Sequence, residues 1–179
     1  MSSIYPLRKW PANVKLPYAS PQENLVAYCA EEVRRQGDTA WHVWRMLEAW
    51  KFAQEMYHDY DMKAGKLRGF TPAVIREIGK YIDEANQLGF RDHAIFITEG
   101  MTGISKPIGE HWVSIDPAIE DLCANQKEMD PISIYARFEA IHPFADGNGR
   151  TGKILYNWAN GTLDDPVWPI DLFGGIENP

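Results

Sequence analysis

The amino-acid sequence predicts a mainly α-helical fold with one small β-hairpin. Apolar side chains recur at the three- and four-residue spacing of amphipathic helices in its first half. A polar residue followed by proline, a common opening of a helix, stands at Ser20-Pro21, Thr71-Pro72, Asp116-Pro117 and Asp130-Pro131. Residues typical of strands are concentrated in one region, from about Ile95 to Ile115.

Length and composition fit one soluble domain. A chain of 179 residues can bury a core of its own, and 45% of its residues are hydrophobic. We expect a single domain over residues 1–179, with its core at about 40–165, an N-terminal arm at 1–19 and a C-terminal tail at 161–179.

The composition also excludes several classes of protein. The net charge of −7 argues against non-specific binding to nucleic acid. Cys29 and Cys123 are too few for a disulfide framework and suit a reducing compartment. No apolar run approaches the length of a membrane span, and the N-terminus lacks the apolar core of a signal peptide. These features predict a cytoplasmic protein without a membrane or nucleic-acid partner.

The first two predicted helices lie in the N-terminal third of the chain. The first begins at Pro21, where Ser20 and Glu23 form a capping box, and should end just before Gly37. The second should begin at residue 38 or 39 and reach about residue 60. Its apolar face consists of Val43, Met46, Leu47, Trp50, Ala53, Tyr57 and Tyr60.

Three further helices are indicated by their start signals. The third opens at Thr71-Pro72 and ends before Gly89. Its apolar face consists of Val74, Ile75, Ile78, Tyr81, Ile82 and Ala85. A fourth should start at Asp116-Pro117. The segment after Asp130-Pro131 is ambiguous, because its apolar residues alternate as in a strand while Ile134, Phe138 and Ile141 also suit a helix.

The densest group of chemically active residues is the stretch from His142 to Lys153, which reads HPFADGNGRTGK. Pro143 disfavours helical geometry at His142, so the preceding helix should stop there. The glycines allow a close backbone approach to a ligand, and a new helix should run from residue 148 or 149 to about 160. Its free N–H groups and dipole make an anion site. Arg150 and Lys153 in the first turn are unfavourable against the dipole unless an anion binds between them. Asp146 is well placed to hold a divalent cation on a phosphate oxygen.

Three familiar motifs overlap this stretch and fail. The dinucleotide fingerprint at Gly147, Gly149 and Gly152 lacks the strand that should precede it directly. The near match to a P-loop has Ile154 where a Ser or Thr should reach magnesium. A calcium loop starting at Asp146 would need oxygen ligands where the chain has arginine and asparagine, at positions 150 and 157.

This stretch resembles the motif of the Fic family, H-x-F-x-(D/E)-G-N-G-R-x-x-R. The matching positions are His142, Phe144, Asp146, Gly147, Asn148, Gly149 and Arg150. The departure is Lys153, which keeps the charge of the usual arginine but loses its bidentate fork. The related Doc kinases have alanine and lysine at the first and second glycines. The resemblance therefore implies a Fic-domain helical bundle with a β-hairpin flap, and a nucleotidyltransferase rather than a kinase.

The resemblance also implies a mechanism, protein AMPylation. His142 would take the proton from a Ser, Thr or Tyr hydroxyl of a target protein, and that hydroxyl would attack the α-phosphate of ATP. Asp146 would hold Mg²⁺ or Mn²⁺ between the phosphates. The other donor contacts implied are Phe144, Gly147, Asn148, Gly149, Arg150 and Lys153. Each residue alone has a structural alternative, such as Asp146 as a helix cap, and Phe144 is also expected to anchor the loop in the core.

Partners and regulation follow from the same resemblance. A flap at about 95–115 would pair with the backbone of the target protein. Many members carry a self-inhibiting helix with the pattern (S/T)-x-x-x-E-(G/N), and no segment of this chain matches it. An antitoxin-like protein would then supply the glutamate, or the enzyme is uninhibited, or its control works otherwise. Two other functions stay open: transfer of UMP, phosphocholine or phosphate, and a non-catalytic nucleotide- or protein-binding module.

Overall fold

The computed structural model describes residues 20–64, 69–98 and 105–169, except for the side chains of 60–64 and 97–98. The described part of the chain contains six α-helices and one two-stranded sheet. The helices are α1 (Pro21–Arg35), α2 (Ala40–Ala64), α3 (Pro72–Ile82), α4 (Ile115–Asn125), α5 (Pro131–Ile141) and α6 (Asn148–Asn160). The strands are β1 (Ile95–Thr98) and β2 (Ser105–Ile108). The predicted mainly α-helical fold with a small hairpin is confirmed.

The helix starts show why the sequence signals were informative. Before α1, the Ser20 hydroxyl accepts a bond from the amide of Glu23, and the Glu23 carboxylate accepts one from the amide of Ser20 at 2.7 Å. Asp130 caps α5 in a similar way by accepting from the amide of Ser133 at 2.9 Å. The ambiguous segment after Asp130 is therefore helical, and its Ile134, Phe138 and Ile141 side chains are buried on one face.

Three helices differ from the predicted boundaries, the first being α2, which reaches Ala64 rather than about residue 60. Helix α3 ends at Ile82, because Asp83 is extended and its carboxylate accepts a bond from the amide of Ala85, which opens a short 3₁₀ turn. Tyr81 was predicted on the buried face but is 40% exposed. Helix α4 begins at Ile115, and Asp116 is not its cap, since its carboxylate pairs with Arg76.

The predicted flap is a hairpin over part of its length. Strands β1 and β2 pair antiparallel, with Ile95 opposite Ile108 and Thr98 opposite Ser105. The connection at 99–104 lies outside the described residues. The chain leaves the sheet after Ile108, so residues 109–115 form a turn, a 3₁₀ helix and the start of α4 rather than a strand.

Helices α2, α3 and α5 pack against α6, whose Ile154 and Leu155 are fully buried. Helix α1 contributes Cys29 and Val33 to the same hydrophobic core. At the other end, the indole N–H of Trp50 donates to the Leu163 carbonyl at 2.8 Å, so the first part of the predicted tail is packed. Both cysteines are free thiols. Within the described ranges, no helix combines the length and apolar character that a membrane crossing needs.

Candidate active site

Helix α5 ends at His142 in a left-handed backbone conformation, with φ 52°. Its amide still donates to the Phe138 carbonyl at 2.9 Å, and Pro143 then prevents the helix from continuing. A non-glycine residue in this conformation is uncommon and carries a backbone cost of ~1–3 kcal/mol, of the kind found at functional sites. Contacts around His142 therefore have to hold it in place.

The imidazole of His142 has a defined orientation. Its Nδ1 lies 3.3 Å from the Glu139 carbonyl oxygen, which can only accept, so Nδ1 carries the proton in the neutral ring. Burial lowers the pKa of His142 and the nearby charge of Arg91 lowers it further, against the opposing effects of that hydrogen bond and of Asp146. The ring is thus neutral near pH 7, and its Nε2 can accept a proton.

The loop after His142 is fixed from inside the protein. The Asn148 side chain brackets Phe144, accepting from its amide and donating to its carbonyl, both at 2.9 Å. The Phe144 ring is fully buried against Phe90 and Phe138. The prediction that Phe144 anchors the loop is confirmed. Its inclusion among the donor contacts is corrected, because the buried ring has no surface left for a ligand.

Gly147 allows the turn into α6. Its φ of 73° lies in the left-handed region, and a Cβ built there would stand 2.2 Å from the Cγ2 of Ile82. Gly147 is also the N-cap residue, so Asp146 is not the cap. The backbone bond from Thr151 to the Gly147 carbonyl, 2.9 Å long, closes the first turn of α6. The amides ahead of it have no intrahelical partner and form an anion site at the positive end of the dipole.

Arg150 lies beneath this helix terminus and is only 1% exposed. Its Nη2 lies 3.3 Å from Asp38, 3.4 Å from Asp146 and 3.7 Å from Asp83. Its Nε and Nη1 are buried without a hydrogen-bond partner among the described residues. Buried guanidinium N–H groups are rarely left unsatisfied, so Arg150 places an incompletely paired positive charge beneath the amino terminus of α6.

Asp146 has the exposure expected of a metal ligand, with 64% of its side chain open to solvent. Its Oδ1 accepts from the Gly147 amide at 2.5 Å. No cluster of three or more potential metal ligands occurs in the described part of the chain. Mg²⁺ is commonly bound by one or two carboxylates together with phosphate oxygens and water, so a single exposed carboxylate beside an anion site fits this ion.

Lys153 is paired inside the protein with a residue that the sequence analysis missed. Its Nζ lies 2.7 Å from Oε1 of Glu32 on α1, and the two side chains are 15% and 2% exposed. Burial alone would lower the pKa of Lys153, but Glu32 and the nearby Tyr135 and Glu139 outweigh burial, and its pKa is raised. Glu32 does not match the pattern (S/T)-x-x-x-E-(G/N), because Tyr28 stands four positions before it and Val33 directly after it.

Glu139 lies next to this pair, and its carboxyl group is protonated to a substantial extent near neutral pH. Burial raises its pKa to about 7, although Lys153 opposes the shift. Its Oε1 is buried without a hydrogen-bond partner in the described structure. The buried cluster of Glu32, Glu139 and Lys153 therefore places one cation beside two carboxyl groups, and burial favours the protonated form of Glu139.

A cleft of about 850 Å³ lies between the hairpin and the loop. Its lining includes His142, Asp146, Gly147, Asn148 and Gly149. The structure thus brings together the residues predicted to be the base, the metal ligand and the phosphate cradle. Arg150, Lys153 and Phe144 do not line this cleft. The first two lie under acidic side chains from α1 and the turn that follows it. Gln36 from the same turn, and His93, Ile95 and Phe96 from the hairpin side, line the cleft as well and were not identified from the sequence.

A model of the Fic/DOC family matches residues 69–159, which is half of the chain. The matched segment includes the hairpin, His142 and the whole loop and first turn of α6. It ends one residue before the end of α6 and excludes α1 and α2, and with them Glu32, the partner of Lys153, and Asp38, one of the partners of Arg150.

Three solved structures are similar at low identity. A Fic domain containing signaling protein from Bacteroides thetaiotaomicron is 19% identical with a TM-score of 0.49, over 78% of this chain and 57% of that one. Fic-1 from C. elegans is 18% identical with a TM-score of 0.48, over 87% and 41%. A Fic family protein from Desulfovibrio desulfuricans is 16% identical with a TM-score of 0.44, over 88% and 62%. This chain therefore spans less than two thirds of each.

Proposed function

This chain belongs to the Fic/DOC family, whose members transfer phosphate-containing groups to proteins, and we propose that it transfers AMP from ATP to a Ser, Thr or Tyr hydroxyl of a target protein. The observation that carries the proposal is a neutral His142 beside the amino terminus of α6 in one cleft. A proton acceptor and an anion site at the two ends of a short loop suit the attack of a hydroxyl on a phosphate.

The proposed role of His142 is that of the general base. The Glu139 carbonyl keeps the proton on Nδ1, so Nε2 receives the proton of the target hydroxyl. The hydroxyl oxygen forms a bond to the α-phosphorus, and the bond from that phosphorus to the bridging oxygen of the β-phosphate breaks. AMP remains on the target protein and pyrophosphate leaves.

The proposed phosphate contacts come from α6. The free amides at Asn148 and Gly149 would donate hydrogen bonds to phosphate oxygens, and the buried charge of Arg150 beneath them would offset negative charge on the leaving side. Asp146 would hold Mg²⁺ or Mn²⁺, which would offset phosphate charge when bound. The side chain of Asn148 is occupied by the Phe144 backbone, so only its amide is offered to the donor.

The ion pair between Lys153 and Glu32 affects which donor the site would bind and how the activity would be regulated. A γ-phosphate held by Lys153 would have to displace the Glu32 carboxylate, which lies 2.7 Å from the ammonium. The internal pair supports a resting state in which α1 competes with the outer phosphate of ATP. A separate antitoxin-like inhibitor stays a prediction, and Glu32 offers an internal source for the same contact.

The same pair favours one second candidate function. If Glu32 never leaves Lys153, the site would suit a donor with two phosphates, such as a nucleoside diphosphate linked to the transferred group. The test is a donor screen with purified protein and a cell lysate, using ATP, UTP and CDP-choline, each labelled in the group that would be transferred. Label on protein from ATP alone is expected. Label from CDP-choline or UTP but not from ATP would replace AMP transfer with the second candidate or with UMP transfer.

A further inference from the structure

Arg91 connects the hairpin to the residue proposed as the base. Its side chain is buried, with 5% exposed, in the bend that precedes β1. In the described structure, its guanidinium hydrogen bonds all go to backbone carbonyls. Nε donates to His142 at 2.8 Å, Nη1 to His93 at 2.8 Å and Nη2 to Glu110 at 2.7 Å.

The three carbonyls belong to three parts of the site. His93 stands just before β1, Glu110 stands just after β2, and His142 ends α5. One rigid, planar fork therefore holds both ends of the hairpin against the backbone of His142. Two backbone bonds run beside it, from the Arg91 amide to the Pro143 carbonyl at 2.9 Å and from the Glu110 amide to the Ile141 carbonyl at 3.0 Å.

The packing at this junction leaves little room for movement. Gly109 has φ 75°, and a Cβ there would stand 2.6 Å from the Cβ of His142 and 2.8 Å from Nη2 of Arg91. The left-handed backbone of His142, which carries a conformational cost, is thus held by Arg91 from one side and by the turn at Gly109 from the other.

We propose that Arg91 is a positioning residue that fixes the hairpin relative to the imidazole of His142. A hydroxyl presented on the hairpin is then aligned with Nε2, the nitrogen that accepts its proton. The inference rests on the proposed function for its catalytic consequence. Arg91 is buried and each of its three side-chain nitrogens donates to a backbone carbonyl, so it is not placed to contact donor or target. Its effect is on the alignment of two reacting groups, and a displacement of about 1 Å can cost a hundredfold in rate.

The test replaces Arg91 by lysine, which keeps the charge near His142 but cannot serve three carbonyls with a planar fork. Arg45→Lys is the matched control. Arg45 also donates to backbone carbonyls, of Lys80 at 2.9 Å and Ile82 at 3.3 Å, without contacting the hairpin or His142. We expect Arg91→Lys to lower kcat for transfer by about 10- to 100-fold with unchanged affinity for ATP, and Arg45→Lys to leave both unchanged.

Two readouts do not depend on transfer. Amide hydrogen exchange of residues 95–98 and 105–108 should become faster in Arg91→Lys and stay unchanged in Arg45→Lys. The imidazole nitrogen resonances of His142 should change from one tautomer to a mixture in Arg91→Lys alone. Unchanged exchange and tautomer in Arg91→Lys, or equal changes in both variants, would overturn the inference. If the wild type transfers nothing, AMP transfer fails and these two readouts still decide the role of Arg91.

Discussion

The ammonium of Lys153 lies 2.7 Å from a carboxylate oxygen of Glu32, across 121 positions of sequence. The same oxygen also accepts from the Gln36 amide group at 2.5 Å, and Asp38 in the following turn lies 3.3 Å from Arg150. One segment, from α1 to the start of α2, therefore covers both cations of the motif with carboxylates. Under the proposed function, we expect these acidic groups to compete with the phosphates of the donor for both cations, with measurable effects on activity.

Glu32→Ala should raise transfer from ATP while lowering stability. The change frees Lys153 for the outer phosphate, and each 1.4 kcal/mol of relieved competition gives about a tenfold gain. It also removes a buried ionic partner, which costs several kcal/mol when a charge is left without one, although Glu139 stands nearby. We expect a lower midpoint of thermal unfolding and a faster transfer rate in the same protein.

Glu31→Ala is the control for that variant. Glu31 is the neighbouring carboxylate of α1, but it pairs with Arg34 and Arg35 on the surface of the helix. Its removal should leave the transfer rate unchanged and cost at most about 1 kcal/mol of stability. A Glu32→Ala protein that is destabilised and no faster than the wild type would show that Glu32 is a structural partner only.

Substitutions of Lys153 distinguish a triphosphate donor from a diphosphate donor. If Lys153 holds the outer phosphate, Lys153→Arg should keep or raise transfer from ATP, and Lys153→Ala should lower it. The measurement is the rate with ATP, ADP and other nucleotides for wild type and both variants. Equal rates in all three proteins would show that Lys153 does not contact the donor. No transfer from any nucleotide by the wild type, even with candidate partners added, would favour the non-catalytic module.

The activity should depend on a divalent cation through Asp146. Asp146→Ala and the isosteric Asp146→Asn should both lose transfer, because Asp146 is the only carboxylate of the loop from His142 to Lys153. Asp92→Asn is the control, since Asp92 is 95% exposed and its carboxylate contacts only the neighbouring His93 in the described structure. Rates are compared with Mg²⁺, with Mn²⁺ and with excess chelator. Full transfer in the chelator would exclude a metal role for Asp146.

The acidic limb of the pH profile should lie below pH 6.5. The base acts in its neutral form, and burial lowers the pKa of His142 below its usual 6.5. As pH falls, the imidazole keeps its accepting nitrogen until that lowered pKa is reached, and kcat/KM then decreases. Donor binding is measured over the same range, so that titration of the phosphates is separated from that of the ring. A midpoint at or above 6.5 with constant donor binding would contradict a neutral, partly buried base.

Features that depend on a few neighbouring residues could be predicted from the sequence. The first residues of α1 and α5 follow from the caps at Ser20 and Asp130, and the end of α5 at His142 follows from Pro143. The loop residues of the cleft stand within one short motif, so their proximity was predictable.

What could not be predicted depends on tertiary contacts. Nothing in the sequence around Glu32 indicates that it meets Lys153, and no pattern marks Arg91 as the residue that joins the hairpin to His142. Phe144 illustrates a third case, in which a motif position has a packing role, and only its burial distinguishes that role from a donor contact.

The central claim is that this protein moves AMP, with His142 as the base. The most direct measurement incubates wild type, Glu32→Ala and the double variant Glu32→Ala/His142→Ala with a cell lysate and ATP labelled at either the α- or the γ-phosphate. We expect protein label from α-labelled ATP alone, strongest with Glu32→Ala, and a loss of about 10²- to 10⁴-fold when His142 is also replaced, with ATP binding and the unfolding midpoint of Glu32→Ala retained. Label from γ-labelled ATP alone, or undiminished label without His142, would contradict the account.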